Sequence, residues 1–447
     1  MNTINNADNI LELPLPPLLA VPLPTNRPRL EIEIGDVVCA GQTIAVSDAG
    51  ADVLSPVTGI VGVPVIRRLA SPIHETALCL PLTTENVRKL PPAVVVLSPD
   101  IQVTLKKAGV VGLGGGAFPA WRKYRPQIKQ LIINAVESDT HICCDRALLA
   151  VHRQTLAVTV ARIAYALSVP AAIIALRHDA PDISPVEGVN ICRIPTGYAL
   201  GNERLLVRHL LDTVIPSHET LADHGIMCFN IGTALAIDDA LTNSKPMLGR
   251  VLTVRRPDGD VINLRVPFGV SIRDVATFAN VRTAMAHIGG RDARAAMPAD
   301  AVIHAKTNII NFCQTAQDTP LPCIRCGDCL PVCPENLSPL HLYADWRDGD
   351  FARMEKRQLD ACLLCRRCDD VCPSNISLTN AFATAQHHVA VAREKNVQTK
   401  QWQTRYERHQ QRLDVPRQFA GVNAAARAAQ AMNRVAKAKR ATATTHK

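Results

Sequence analysis

Apolar and polar positions recur in several different rhythms along this chain. Up to about residue 90 they form short runs cut by turns. Glu31-Ile32-Glu33-Ile34 alternates with period two into Gly35-Asp36, and Val37-Val38-Cys39-Ala40-Gly41-Gln42 and Ser55-Pro56-Val57-Thr58-Gly59-Ile60-Val61 follow, a pattern of small strands. From 91 to 243, strand-like runs at Leu131 to Asn134, Ala171 to Leu176 and Asn190 to Ile194 alternate with helical patterns over Arg146 to Ser168 and Glu203 to Leu211. Strands separated by helices predict a mostly parallel sheet with ligands at the strand ends. A β-rich piece spans 244 to 305: Val251 to Val254, a turn at Pro257-Asp258-Gly259, Val261 to Leu264, and Val266-Pro267-Phe268-Gly269 before a helix-like Ser271 to Ala279. Residues 306 to 385 carry clustered cysteines around a helical pattern from Leu337 to Leu359, and 386 to 447 read as a helical tail. The expected fold class is α/β and multidomain.

Composition narrows this picture. At 447 residues, 47% hydrophobic and 20% charged, the chain has room for about three domains with real cores and is not globally disordered. No apolar run reaches the length of a spanning helix; the longest, Leu156 to Leu176, is interrupted by Arg162 and Pro170. Met1 to Ala20 does not resemble a secretory signal, since it lacks a basic start and is broken by Pro14, Pro16 and Pro17. The net charge of +9 is concentrated late, in Arg393, Lys395, Lys400, Arg405, Arg408, Arg412, Arg417, Arg427, Arg434, Lys437, Lys439 and Arg440. These predict a solvated helix, or one held against anionic lipid or an acidic partner. Nucleic acid is not the expected partner, because only Trp402, Tyr406 and Phe419 offer aromatic rings there.

Of the 15 cysteines, eight fall in a unit that occurs twice. Cys323-x-x-Cys326-x-x-Cys329-x-x-x-Cys333-Pro334 is repeated as Cys362-x-x-Cys365-x-x-Cys368-x-x-x-Cys372-Pro373. Three thiolates at that spacing can hold one corner of an iron–sulfur cube, and in two-cluster ferredoxins of this kind the fourth cysteine serves the other cube. The expected sets are therefore Cys323, Cys326, Cys329 and Cys372 for one [4Fe-4S] cluster, and Cys362, Cys365, Cys368 and Cys333 for a second. Structural zinc is the alternative, but a third cysteine at the same step and the closing Cys-Pro are not what a zinc ribbon requires. The other seven (Cys39, Cys79, Cys143, Cys144, Cys192, Cys228 and Cys313) lie among apolar residues as small hydrophobes do, consistent with a reducing cytoplasm.

Before the first clear α/β strand stands Gly112-Leu113-Gly114-Gly115-Gly116-Ala117-Phe118-Pro119. Such a loop offers backbone N–H groups at close range to a phosphate or a flat flavin ring, and it is equally compatible with a plain turn. Asn134-Ala135-Val136-Glu137-Ser138-Asp139 puts two carboxylates just after a strand, either to bind ribose hydroxyls and flavin edges or as solvated acids.

The segment G-D-x-V-x-x-G-Q with S-P-x-x-G-x-V resembles the barrel-sandwich hybrid domains of lipoyl and biotinyl carriers, but no lysine lies between Arg29 and Arg88 to be modified, so a scaffold is expected. Residues 244 to 305 resemble the soluble-ligand-binding β-grasp module. The order of barrel-sandwich domain (1–90), Rossmann-like flavin/nucleotide domain (91–243), β-grasp (244–305), α-helical two-cluster ferredoxin domain (306–385) and basic helical tail (386–447) resembles the C subunit of Rnf/Rsx-type electron-transport complexes. Its central part is similar to the flavin subunit of respiratory complex I.

The resemblance implies a peripheral subunit on the cytoplasmic side of the inner membrane. It would pass electrons between NADH and a ferredoxin-like carrier through FMN and two [4Fe-4S] clusters, beside membrane-embedded and cluster-carrying subunits that move ions. It also implies cofactor-binding roles for Gly112, Gly114, Gly115, Gly116, Phe118, Lys123, Asn134, Glu137, Asp139, Asn230 and Thr233. Departures from the family pattern fall around the flavin. Gly116-Ala117 reverses an A-G pair, Ala120 replaces a threonine, Trp121 a glycine and Asp139 a glutamate, Thr140 stands for a proline, Tyr198-Ala199-Leu200-Gly201 for Y-P-x-G, and Gly289-Gly290-Arg291 for G-G-P. They predict weaker FMN binding and impaired NADH oxidation, with Trp121 obstructing the nicotinamide. Two other functions compete with this one: an iron–sulfur relay with a degenerate flavin site, and a scaffold or nucleic-acid adaptor using the tail.

Overall fold

Runs of branched apolar residues make the sheet that positions the site. Gln130–Ala135, Ala171–Arg177, Val189–Ile194 and Ile226–Asn230 pair throughout in parallel. Their spatial order is 189–194, 171–177, 130–135, 226–230. Leu131, Ile132 and Ile133 are fully buried in succession, as expected of a strand covered on both faces. Helices Cys144–His152, Leu156–Ala166 and Ile231–Thr242 pack Leu148, Leu156, Val160 and Ile237 against it. The single helix expected over 146–168 is thus two, parted by a turn in which Thr155 N–H donates to His152 O at 2.9 Å. Strand order reverses between 130–135 and 226–230, the kind of place where such sheets bind ligands.

The structure is a computed structural model and describes residues 8–24, 28–72, 75–88, 90–137, 139, 141–195, 198–216, 219–282, 286–289, 295–312 and 320–443. Cys313, Thr140, Gly290 and Arg291 lie outside the described residues, as does the side chain of Tyr198. Contacts divide the chain into two compact units, Met1–Thr384 and Ala385–Lys447.

Within the first unit, Gly249–Arg255 and Val261–Pro267 form an antiparallel pair. They belong to a six-stranded sheet that also takes in Ile309–Asn311, Ala286–Ile288 and Ala295–Met297. Its edge is Ile10–Glu12 from the start of the chain, parallel to 261–267 in the register Ile10↔Asn263. Ser271 and Asp274 close a capping box on helix Ile272–Phe278. Residues 18 to 83 otherwise make two small sheets. The alternation at 31–34 does not become a strand; the strand here is Arg29–Leu30, just before it. Asp36 Oδ2 accepts from Glu33 N–H at 2.7 Å and Gly35 takes φ +94°, so a side-chain-closed turn replaces the ladder.

Helices Pro339–Arg347 and Phe351–Lys356 stand between the cysteine repeats. Helix Leu378–Ala443 begins in the first unit, and from Ala385 on it constitutes the second. Among the described residues no helix is long and apolar enough to cross a membrane.

Candidate functional site

The glycine loop is pinned at its base and open at its tip. Gly112 N–H donates to Phe118 O (2.8 Å) and Leu113 N–H to Thr233 Oγ (2.9 Å) at the start of helix 231–242. The buried Arg250 donates to Leu113 O (3.3 Å) and to Ala305 O (2.5 Å). At the tip Gly115 has φ +103°, a conformation that excludes most side chains. Gly116 is exposed, and a Cβ there would meet nothing within 4 Å. No neighbour within the chain requires glycine at that position, whereas close approach by a ligand would. Ala117 stands at φ +50°, so the reversed A-G pair puts a side chain into the left-handed region. Trp121 donates its indole N–H to Gly50 O at 3.1 Å.

Most of the side chains expected around the flavin bond to the chain itself. Asn230 caps helix 231–242 by accepting from Gly232 N–H (2.9 Å) and donates to Asp145 (2.5 Å). Asn134 donates to Gly201 O (2.9 Å). Lys123 is held by Glu203 (2.7 Å) and Cys228 O (3.0 Å). Phe118 is exposed under the guanidinium of Arg122. Glu137 accepts from Asp145 and Arg146 N–H at 3.1 and 3.3 Å, at the N-terminus of helix 144–152.

Burial, then the neighbouring Asp145, raises the Glu137 carboxyl well above its ordinary range. Burial also pushes Asp145 up to about 6. The pair therefore retains protons where ordinary carboxylates have lost them. Asp145 escaped sequence reasoning, as did Arg250 and Asn308. Arg250 reads as an ordinary strand-end charge. Asn308 has a buried Oδ1 without a hydrogen-bond partner, and its amide lies beside Gly115. A cleft of about 220 Å³ opens beyond the ends of strands 130–135 and 171–177, walled by Ala135, Glu137, Asp139, Cys143, Arg146 and Arg177; the glycine loop, Asn230, Arg250 and Asn308 are not part of its wall.

The eight motif cysteines gather into two separate cavities. Cys323, Cys326, Cys329 and Cys372 line one, with Ile324, Tyr343 and Ile376. Cys362, Cys365, Cys368 and Cys333 line the other, with Leu342 and Phe382. Each cavity thus takes three thiols from one repeat and one from the other. Burial raises the thiols of Cys329, Cys365 and Cys368, and pushes Cys362 up to about 12. Four converging thiols in an apolar pocket cannot all ionise without a cation among them, and a coordinating metal deprotonates thiols outright. All-sulfur donor sets of this kind fit iron–sulfur cubes.

The cavity of Cys362, Cys365, Cys368 and Cys333 is tied to the α/β domain through Arg366, Leu363 and Glu335 of its wall. Asp139, buried in the loop after strand 130–135, pairs with Arg366 at 3.3 Å. Asn202 donates to Leu363 O (3.0 Å), and Arg208 to Glu335 (3.0 Å). Asp139 thus serves a protein partner at the edge of the cleft.

Residues 105–239 match the Nuo51 FMN-binding domain, and residues 320–376 the 4Fe-4S dicluster domain. The glycine loop, Glu137 and Asn230 lie inside the first match, all eight motif cysteines inside the second. Curated relatives named as the C subunit of an ion-translocating oxidoreductase complex include one from Pseudomonas aeruginosa, 29% identical over 86% of this chain and 53% of its own length. Another, from Rhodobacter capsulatus, is 28% identical over 76% of this chain and 71% of its own; a third, from Vibrio cholerae, is 26% identical over 79% and 50%. The chain therefore spans about half the length of two of these relatives and 71% of the other. Among solved structures, an air-oxidized NAD+-reducing [NiFe]-hydrogenase superposes with a TM-score of 0.41 at 19% identity, over 64% of this chain and 61% of that one. With an FMN-domain match and a dicluster match in one chain, this protein is similar in sequence to the C subunits of ion-translocating oxidoreductase complexes over three quarters or more of its length.

Proposed function

We propose that this chain is the electron-carrying C-type subunit of a membrane-bound oxidoreductase complex, linking NADH and a ferredoxin-like carrier to ion translocation by membrane-embedded partners. The observation that carries the reading is the pair of thiol cavities, each built from both repeats. Cys323, Cys326, Cys329 and Cys372 hold one [4Fe-4S] cluster, and Cys362, Cys365, Cys368 and Cys333 the other. When bound, FMN supplies exchange between two-electron and one-electron carriers, and the clusters supply the one-electron steps.

The chain's own residues prepare the site for such a cofactor. Gly114 to Gly116 leave room for close approach, and Thr233 and Arg250 fix the base of the loop. Glu137 and Asp145 hold a proton beside it. The reading extends to a barrel-sandwich scaffold over 1–90, with Ile10–Glu12 lent to a β-grasp sheet over 244–305, and to a basic tail that meets the cytoplasmic face of the membrane beside partner subunits.

Anaerobically purified protein tests this directly. About eight irons with matching labile sulfide are expected per chain, together with flavin after reconstitution. Zinc in place of iron overturns the electron-transfer reading. A relay with a weakened flavin site is the second reading, favoured by the left-handed Ala117 and by the engagement of Asp139 and Lys123 with protein partners; iron without flavin would decide for it.

A further inference from the structure

Left-handed residues fall at matching positions of the two cysteine repeats. Arg325 and Leu364 precede the second cysteine of each (φ +59° and +53°), and Asn336 and Asn375 follow each Cys-Pro (φ +52° and +51°). Directly after the second cysteine the first repeat has Gly327 at φ +90°, and the second has Arg366 at φ +65°. Glycine takes this conformation freely; an L-residue with a side chain does not. The second repeat therefore keeps a long cationic residue where its own copy uses glycine, a backbone outlier that asks what the side chain does.

Arg366 lines the cavity of Cys362, Cys365, Cys368 and Cys333. Its guanidinium is largely buried and reaches Asp139 Oδ2 at 3.3 Å, with Asp369 Oδ2 at 3.9 Å. Asp139 in turn walls the cleft at the end of strand 130–135. One ion pair thus spans from the cleft wall to the thiol cavity.

We propose that Asp139 and Arg366 form a positioning and tuning pair that sets the reduction potential of the second cluster, an inference that rests on the two-cluster reading above. Reduction adds one electron, and so one unit of negative charge, to the thiol cavity, with no bond made or broken. A guanidinium in the cavity wall favours the reduced form, and the buried carboxylate of Asp139 offsets it. Surrounding charge and burial are established levers on cluster potential. Removing either partner should therefore move the potential, and in opposite directions.

The test is a redox titration of the reconstituted full-length protein, with both clusters followed by paramagnetic resonance. Asp139→Asn is expected to raise the potential of the second cluster, and Arg366→Gln to lower it. Arg366→Lys should stay near the parental value, and the double variant Asp139→Asn with Arg366→Gln should return towards it. The first cluster, beside Gly327, should not respond. If Arg366→Gln fails to load the second cluster, Asp139→Asn and Arg366→Lys carry the test. No shift, shifts of the same sign in the two single variants, or equal shifts in both clusters overturn the proposal. Iron content is measured on every preparation, so that a parental protein without two clusters counts against the function reading and not against this pair.

Discussion

The two cysteine repeats share a spacing and a pattern of left-handed residues, and they differ in what surrounds them. The first has an exposed Cys326, with the exposed apolar residues Leu321, Ile324 and Leu330 near it in the chain. The second is fastened to the α/β domain by Asn202 and Asp139, through Leu363 and Arg366, and its cavity is held further by Arg208, through Glu335, which follows Cys333 of the first repeat. An internal repeat fixes ligand geometry, while the tertiary contacts of each copy give it an inner or an outer position. Under the proposed function, an electron path would have its inner end at the second cavity, which shares the Asp139–Arg366 pair with the cleft wall, and its outer end at the first.

The largest effect that could break this comparison is loss of one cluster. Cys365→Ala should lower iron from about eight to about four per chain and leave the first repeat loaded; loss of all iron would mean that the two cavities are not separable. Next comes the fastening. Asn202→Ala with Arg208→Ala leaves Leu363 O and Glu335 without these donors, which costs on the order of 1–3 kcal/mol for each group left unsatisfied. Hydrogen exchange should speed up over 362–368 and not over 323–329, and equal acceleration in both would erase the inner–outer distinction.

The cleft side has its own response to pH. A carboxyl whose pKa is raised by folding binds more protons folded than unfolded, so its contribution is present below the ordinary carboxylate range and is lost as pH rises. For Asp145 the loss runs from about 4 through about 6, and for Glu137 it runs upward from the ordinary carboxylate range, since burial and the neighbouring Asp145 raise its pKa well above the ordinary value. In urea unfolding at stepped pH, Glu137→Gln should gain on the parental protein as pH increases. A constant difference across that range would remove the proton-holding role.

The smallest effect concerns the loop. Ala117→Gly relieves the left-handed φ of +50° and should raise the unfolding free energy by about 1 kcal/mol, with tighter FMN retention. An unchanged urea midpoint and unchanged flavin affinity would show that the loop accommodates alanine without strain.

What could be read from the sequence differs between these regions for physical reasons. Cysteine ligation depends on short spacings, so Cys323 to Cys333 and Cys362 to Cys372 state their chemistry locally. The parallel sheet was legible in the runs at Leu131 and Ala171, because strands buried on both faces are continuously apolar, and more faintly at Asn190, an edge strand that exposes Asn190 and Arg193. The Ile226–Asn230 strand escaped notice, although Ile226-Met227-Cys228-Phe229 carries the same signal. The edge strand Ile10–Glu12 could not be assigned locally, since its partner lies some 250 residues away in the register Ile10↔Asn263. Motif reading found Asn230, Thr233, Lys123 and Asp139 but not their work, because capping, loop anchoring and ion pairing depend on partners distant in sequence. Arg250, Asn308 and Arg366 stayed silent for the same reason.

The central claim is that each cavity is closed by a cysteine from the other repeat. Paramagnetic resonance of reduced Cys372→Ala, set beside Cys326→Ala and Cys365→Ala, tests it most directly. The account predicts that Cys372→Ala loses the same signal as Cys326→Ala and keeps the one that Cys365→Ala loses. A spectrum of Cys372→Ala that matches Cys365→Ala would contradict it, because Cys372 would then serve the cluster of its own repeat.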